Sequence, residues 1–177
     1  AAGLGIARQI TNEMQHAGLR GDELKRAVLV MDSGGIVSDG RTLDAYKQEL
    51  AWPESMAAGL NLNDAGRRTL HRVVAAYQPT VLIGASGQGG AFDEETIVAM
   101  TKAVDTPVVL PMSNPTAISE GTPESILRWS GGRALVATGS PFADVPMRGG
   151  IQRIGQANNV FIFPGIGLGT IVSGARA

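Results

Sequence analysis

The stretch TVLIGASGQGGAF, residues 80–92, decides the fold, because an apolar run passes directly into a segment of small residues. Continuous apolar runs are typical of strands that a parallel sheet buries on both faces. Glycine at the end of such a strand allows a tight turn or a close backbone approach. The runs predicted to form the sheet are 27–32, 80–84, 107–111, 134–138 and 160–163.

Segments with helical periodicity alternate with these runs, at 4–18, 63–77, 93–104 and 122–129. The last has Thr122 where an N-cap is preferred and Pro123 at the first helical position. Alternation of strand and helix predicts a doubly wound, mostly parallel α/β sheet of the Rossmann-like, NAD(P)-binding kind.

The composition limits the classes of function. The chain has 177 residues, a formal net charge of −1 and no cysteine. It therefore lacks the basic surface that nucleic acids require, and it lacks thiolate metal ligands. No apolar run approaches the roughly 20 residues that span a bilayer. We expect one domain over 1–177, in the cytoplasm, with neither nucleic acid nor membrane as a partner.

The first residues, Ala1, Ala2 and Gly3, resemble the second half of a glycine-rich turn that opens a helix. Free N–H groups at such a helix start bind a pyrophosphate, although small residues there also suit tight helix–sheet packing. The strand and the two glycines that should precede Gly3 have no counterpart here. The sequence thus predicts a sheet that lacks its first strand, in a domain truncated at its N-terminus.

Polar residues follow several of the predicted strands. Asp32 ends the first run, where an acid holds ribose hydroxyls, or else simply forms a turn. Asn114 follows the third run, at a carboxyl end where ligands bind, or else is a turn residue. The pair Asn158–Asn159 stands before the run 160–163, and we interpret it as contacting a small polar ligand. Gln88 occupies a position where a nucleophile elbow needs glycine, which disfavours a serine hydrolase.

Four blocks carry a resemblance to a known family: LIGASGQGGAF, PMSNPTAISEGTPESI, GRALVATGSPF and GQANNVFIFPGIGLG. In order and spacing they resemble the corresponding blocks of malic enzymes, over essentially the whole chain. The resemblance implies oxidative decarboxylation of malate to pyruvate and CO₂, with NAD or NADP and Mg²⁺ or Mn²⁺. It also implies a homo-oligomer, and truncation of this domain at the C-terminus as well.

The resemblance assigns roles residue by residue. Ala1 to Gly3 would line the pyrophosphate, Asp32 would hold the adenosine ribose, and Gly139 would approach the nicotinamide half. The implied cofactor-binding residues are Ala1, Ala2, Gly3, Asp32, Ser33, Lys47, Gly84, Ala85, Ser86 and Gly139. The implied residues on the malate carboxylate and the nicotinamide side are Asn114, Asn158 and Asn159.

The family's general-base lysine, tyrosine acid and three acidic metal ligands lie upstream of the dinucleotide turn. No catalytic or metal-binding residue is therefore assigned in this chain, and we expect it to be inactive alone. Ser33 and Lys47 fall near positions that read a 2′-phosphate, which favours NADP slightly and leaves NAD open. Two alternatives stay open: a domain of another amino- or hydroxy-acid dehydrogenase, and a non-catalytic nucleotide-binding module.

Overall fold

The computed structural model describes residues 2–175. Helices alternate with strands through most of this range. The helices are α1 (Ala2–His16), α2 (Gly21–Ala27), α3 (Ala45–Gln48), α4 (Glu54–Ala58), α5 (Asp64–Arg67), α6 (Leu70–Tyr77), α7 (Glu94–Ala103), a 3₁₀ turn (Thr116–Ile118), α8 (Pro123–Trp129) and α9 (Asn159–Ser173).

Four parallel strands form the main sheet, in the order β3-β4-β5-β8, and two antiparallel pairs, β1-β2 and β6-β7, lie beside it. The strands are β1 (Met31–Asp32), β2 (Gly35–Ile36), β3 (Val81–Gly84), β4 (Val108–Pro111), β5 (Leu135–Thr138), β6 (Val145–Met147), β7 (Gly150–Gln152) and β8 (Gly155–Gln156). The parallel α/β architecture is the one predicted, and the runs at 80–84, 107–111 and 134–138 are confirmed as strands.

The cap residues explain where the central helices begin. Asn63 accepts a hydrogen bond from the Gly66 amide (2.8 Å), and Asp93 accepts one from Thr96 (2.9 Å). Thr122 caps α8 through the Ser125 amide at 3.2 Å. Each bond satisfies one of the amides that a helix start leaves without an intrahelical partner. The predicted helix 63–77 is two helices, α5 and α6.

The core lies where α6, α7 and α8 pack against the main sheet. Ile97 and Met100 of α7, Val109 of β4 and Ile126 of α8 are all fully buried. Because parallel strands bury both faces, their apolar runs need not alternate, as the sequence of β4 illustrates. This core fixes the ends of β3, β4 and β5 relative to one another.

The run 160–163 was predicted to be a strand, and that prediction is wrong: these residues form the first turn of α9. A continuous apolar run does not distinguish a strand from a helix by periodicity, and here the cap decides. The Asn158 side chain accepts from the Val160 amide at 3.0 Å, so it caps a helix. The fourth strand of the sheet is the short β8 before it. The apolar side chains of α9 are exposed, Phe163 by 70% and Ile171 by 79%. Among residues 2–175, no helix is both long and apolar enough to cross a membrane.

The run 27–32 was also predicted to join the main sheet, and that prediction is wrong for the described structure. Only Met31–Asp32 forms a strand, and it pairs with Gly35–Ile36 in an antiparallel hairpin. A cleft separates residues 28–32 from β3, and no strand of the described range lies in it. Val30 accepts a hydrogen bond from the Val37 amide at 2.9 Å, but residues 28–30 form no strand in the described structure.

Gly139, just beyond β5, lies at the point where the backbones that follow β4 and β5 approach each other closely. A Cβ at this position would lie 2.1 Å from the Met112 carbonyl oxygen, so backbone would have to move. We expect Gly139→Ala to lower the free energy of unfolding by about 1–3 kcal/mol or more, as overpacking does. Urea unfolding followed by circular dichroism measures it.

Gly165→Ala is the matched control, because nothing lies within 4 Å of a Cβ added at this exposed position in α9. Alanine there should stabilise the helix by about 0.5–1 kcal/mol. Equal stability of Gly139→Ala and the unaltered chain would contradict the close backbone approach.

Candidate functional site

The carboxyl ends of β3, β4, β5 and β8 lie along one edge of the sheet, because all four strands are parallel. The segments that follow them are built mostly from small residues: Ala85-Ser86-Gly87, Ser113-Asn114, Gly139-Ser140 and Ala157-Asn158. Ligands of open α/β sheets bind at this edge. The edge is therefore the candidate site.

A cleft of about 1020 Å³ opens at the β3 end of this edge. Its inner part is apolar, between α1 and the strand β3. Six of its lining residues are among those assigned to the cofactor, and we call this set the cleft mouth: Gly3, Asp32, Ser33, Gly84, Ala85 and Ser86. Gly3 lies close to the loop after β3, since a Cβ added there would be 3.7 Å from Ala85 Cβ. The start of α1 thus faces the same space as Asp32.

Asp32 is held by three donors. The Gly34 amide and Arg41 Nη2 each donate to Oδ1 at 2.9 Å, and Lys47 Nζ donates to Oδ2 at 2.7 Å. Burial would raise the pKa of the Asp32 carboxyl, but the bonds from Lys47 and Arg41 outweigh it and lower that pKa. Asp32 is therefore an ionised acceptor at the cleft. The Gly34 bond is also that of a turn-forming aspartate, so both interpretations of this residue fit the geometry.

A buried carboxylate lies beneath the loop after β3. Glu120 Oε1 accepts from the Ser86 amide (2.7 Å), the Ser86 hydroxyl (2.8 Å) and the Ser113 hydroxyl (2.6 Å). Burial would raise the pKa of Glu120, but the hydrogen bonds from Ser113 and Ser86 hold it below its usual value. The donors of Ser86 are thus turned toward the protein interior. A Cβ on Gly84 would lie 2.6 Å from Glu120 Cδ, which explains the glycine there.

Further hydrogen bonds join the remaining strand ends. Asn158 Nδ2 donates to the Gly139 carbonyl (2.9 Å), and the Gly139 amide donates to the Pro111 carbonyl (3.1 Å). Ser140 Oγ donates to the Ser113 carbonyl at 3.3 Å. The loops that follow β4, β5 and β8 therefore form one connected edge.

The three asparagines assigned to the substrate side occupy different settings. Asn158 is half-buried and uses its amide within the protein, on Gly139 and as the cap of α9. Asn114 is exposed beyond β4, and Asn159 is the exposed first residue of α9. Their roles toward a ligand stay predictions.

The remaining residues that were assigned to the cofactor lie in different places. Ala2 is the first residue of α1, Gly139 lies near Asn158 instead of at the cleft, and Lys47 reaches Asp32. Ala1 lies outside the described residues. Within the part of the chain that is described, no group of three or more His, Cys, Asp or Glu could hold a metal ion. The described residues therefore offer no metal centre, whereas an acid and a helix start are the kinds of group that hold a ribose and a pyrophosphate.

Sequence reasoning missed Glu120, together with its partner Ser113. In the sequence, Glu120 is the only charged residue between Asp105 and Glu124, in a segment that otherwise contains small, polar and apolar residues. That isolation is the one available signal, and it does not distinguish a buried carboxylate from a solvated loop acid. Burial follows only from how the loops after β3 and β4 fold over it.

Comparison with known proteins identifies the family. The family described as Malic enzyme, NAD binding domain matches residues 1–177. The chain is 49% identical to an NAD-dependent malic enzyme of Sodalis glossinidius, over 99% of the chain and 31% of that protein. It is 43% identical to an NAD-dependent malic enzyme of Proteus mirabilis and 41% identical to NAD-dependent malic enzyme 3 of Bacillus subtilis, with the same coverage.

The chain therefore spans about a third of the length of these relatives. The family match, by contrast, runs from its first residue to its last. The parallel sheet, with Asp32 at a cleft beside the start of α1, agrees with a dinucleotide-binding fold. This chain belongs to the family of malic enzyme NAD binding domains.

Proposed function

We propose that the protein oxidatively decarboxylates malate to pyruvate and CO₂, and that this chain supplies its NAD site. The observation that carries the proposal is the cleft mouth, which gathers Gly3, Asp32 and the loop after β3 in one place. The names of the relatives, all NAD-dependent malic enzymes, support the reaction. NAD, when bound, supplies the acceptor for the hydride that leaves malate.

Each group at the mouth has a role toward a dinucleotide. The first amides of α1 point away from the helix and favour a negatively charged pyrophosphate. The Asp32 carboxylate accepts hydrogen bonds from ribose hydroxyls, and Arg41 and Lys47 keep it ionised and oriented. Gly84 and Ala85 leave the mouth free of bulky side chains.

Malate would lie farther along the edge, near Asn114 and Asn158. Asn158 Nδ2 carries two hydrogens, and its bond to Gly139 uses one of them. The second hydrogen could donate to a carboxylate of malate without adding a positive charge to the site. A metal ion in the intact enzyme, a homo-oligomer and a cytoplasmic location remain predictions.

The reaction is tested on the full-length protein that carries this chain. We expect malate-dependent reduction of NAD at 340 nm, with pyruvate and CO₂ formed in equal amounts when Mn²⁺ is present. The 177-residue chain should bind NADH and yet reduce no NAD, because its described residues offer no metal centre. Reduction of NAD by the full-length protein with other hydroxy or amino acids, and not with malate, would overturn the proposal.

Asp32→Asn tests the cofactor site. The change removes the acceptor charge at the mouth, and the dissociation constant for NADH should rise about tenfold or more, as loss of a hydrogen bond to a charged group predicts. NADH fluorescence titration of the chain measures it, with urea unfolding to confirm that the variant is folded.

Asp105→Asn is the matched control, because the Asp105 side chain is fully exposed and lies outside the cleft lining. It should leave the dissociation constant within twofold of the unaltered chain. Equal NADH binding by the two variants would remove Asp32 from the site.

The choice between NAD and NADP centres on Lys47. The family and its relatives are named for NAD, whereas Ser33 and Lys47 favoured NADP in the sequence. Lys47 Nζ is engaged by Asp32 at 2.7 Å, so any contact with a 2′-phosphate would have to compete with that ion pair. We propose that NAD is preferred and that Lys47 sets the residual affinity for NADP.

Lys47→Gln should therefore lower the affinity for NADPH about tenfold relative to that for NADH, since a charge-assisted contact is lost. Lys102→Gln, an exposed change in the last turn of α7, is the control. An unchanged ratio of the two dissociation constants would show that Lys47 does not read the phosphate.

A further inference from the structure

We propose that Glu120 is a positioning residue of the NAD site, which fixes the backbone of Ser86, at the mouth of the cleft, and of Gly87 beside it. The inference rests on the proposed function, because it assigns the loop after β3 to the cofactor. It concerns a residue outside the set of predicted ligand contacts. Four observations support it.

First, Glu120 is surrounded by donors. Its side chain accepts from two backbone amides and a hydroxyl of the loop after β3, with Gly87 N at 3.2 Å as the second amide. From the loop after β4 it accepts the Ser113 hydroxyl (2.6 Å) and the Ser113 amide (3.3 Å). A carboxylate, which only accepts hydrogen bonds, is the group that suits a site where the neighbouring groups donate.

Second, the charge is buried without a counter-ion. Glu120 is 1% exposed, and none of the ion pairs found among residues 2–175 involves it. A buried charge is costly unless hydrogen bonds satisfy it, and a neutral core residue would avoid that cost. What the carboxylate provides, and an apolar residue cannot, is a fixed position for the amides of Ser86 and Gly87.

Third, the surrounding backbone is shaped to Glu120. Gly84 has no room for a Cβ because of the Glu120 side chain, and Gly87 turns the loop with a φ of 67°. The Gly87 amide also donates to Ser113 Oγ at 2.9 Å, so this one amide bonds both Ser113 and Glu120 of the loop after β4. The Glu120 carbonyl in turn accepts from the Phe92 amide at 2.8 Å. The segment 86–92 is therefore bonded to Glu120 at both of its ends.

Fourth, Glu120 itself lines the cleft whose mouth holds Gly3, Asp32 and Ala85. Because Glu120 engages the donors of Ser86, the side of the loop left for a cofactor is that of Ala85. Glu120 thus acts through the loop and not by direct contact with the cofactor. Loss of the Glu120 carboxylate should therefore move the loop after β3 without removing any group that contacts the cofactor.

The test compares Glu120→Gln with Glu124→Gln in the full-length protein that carries this chain. Glutamine keeps the shape of Glu120 but directs an NH₂ group at donors, whereas Glu124 is exposed in the first turn of α8. Two quantities are measured at pH 7: the dissociation constant for NADH, and amide hydrogen exchange at Ser86 and Gly87. We expect Glu120→Gln to weaken NADH binding at least tenfold and to lose protection at both amides. Glu124→Gln should stay within twofold.

The pH dependence of unfolding is a third measurement. Because the folded protein holds the pKa of Glu120 below its usual 4.5, the carboxylate stabilises the fold above that pH. The contribution is lost as the pH falls below 4.5 toward the folded value. Glu120→Gln should therefore show a shallower loss of stability in acid than the unaltered chain.

A folded Glu120→Gln chain with native exchange at Ser86 and Gly87 and native NADH affinity would overturn the inference. If Glu120→Gln does not fold, Ser113→Ala replaces it, because that change removes one bond to Glu120 and one from Gly87. It should raise the dissociation constant about threefold and lower protection at Gly87, and native values would overturn the inference.

The exchange measurement needs no cofactor and separates the two proposals. Failure of the unaltered chain to bind NADH would overturn the NAD site, and with it the role of Glu120 toward a cofactor. Loss of protection at Ser86 and Gly87 in that case would still identify Glu120 as the residue that orders the loop. If the unaltered chain binds NADH and Glu120→Gln has no effect, the positioning role of Glu120 is overturned and the NAD site is not.

Discussion

The buried charge of Glu120 is the constraint on which the site edge depends. A carboxylate removed from water must be satisfied by donors, and the donors available are the amides and hydroxyls at the ends of β3 and β4. The ends of β3 and β4 must therefore lie where their N–H and O–H groups can donate to the Glu120 carboxylate. The same requirement excludes a side chain at Gly84 and leaves the loop after β3 open toward the cleft.

The rest of the edge follows from the parallel sheet. Parallel strands bring their carboxyl ends together, and small residues there let neighbouring backbones approach until a Cβ at Gly139 would overlap the Met112 carbonyl. Asp32 completes the mouth from outside the sheet, as an ionised acceptor held by Arg41 and Lys47. The site therefore joins one satisfied buried carboxylate, Glu120, to one carboxylate that faces the cleft, Asp32.

Much of the candidate site could be predicted because its residues stand at strand ends. Asp32 was assigned from its position in the sequence, and Gly84 and Ala85 from the resemblance to malic enzymes; the structure places all three with Gly3 along one cleft. Asn158 could not be placed in the same way. Its position before an apolar run suits both a ligand contact and a helix cap, and only the fold shows that it caps α9 and bonds Gly139.

The sequence by itself determined the features that short-range chemistry controls. Asn63, Asp93 and Thr122 start helices because their side chains reach amides three residues ahead, and the apolar runs 80–84, 107–111 and 134–138 form the parallel strands β3, β4 and β5. Tertiary structure decided everything that depends on residues far apart in the chain. Residues 28–30 stayed outside the main sheet, and Glu120 became buried between the loops after β3 and β4. Glu120 and Ser86 are 34 positions apart, and no local pattern encodes a bond across that separation.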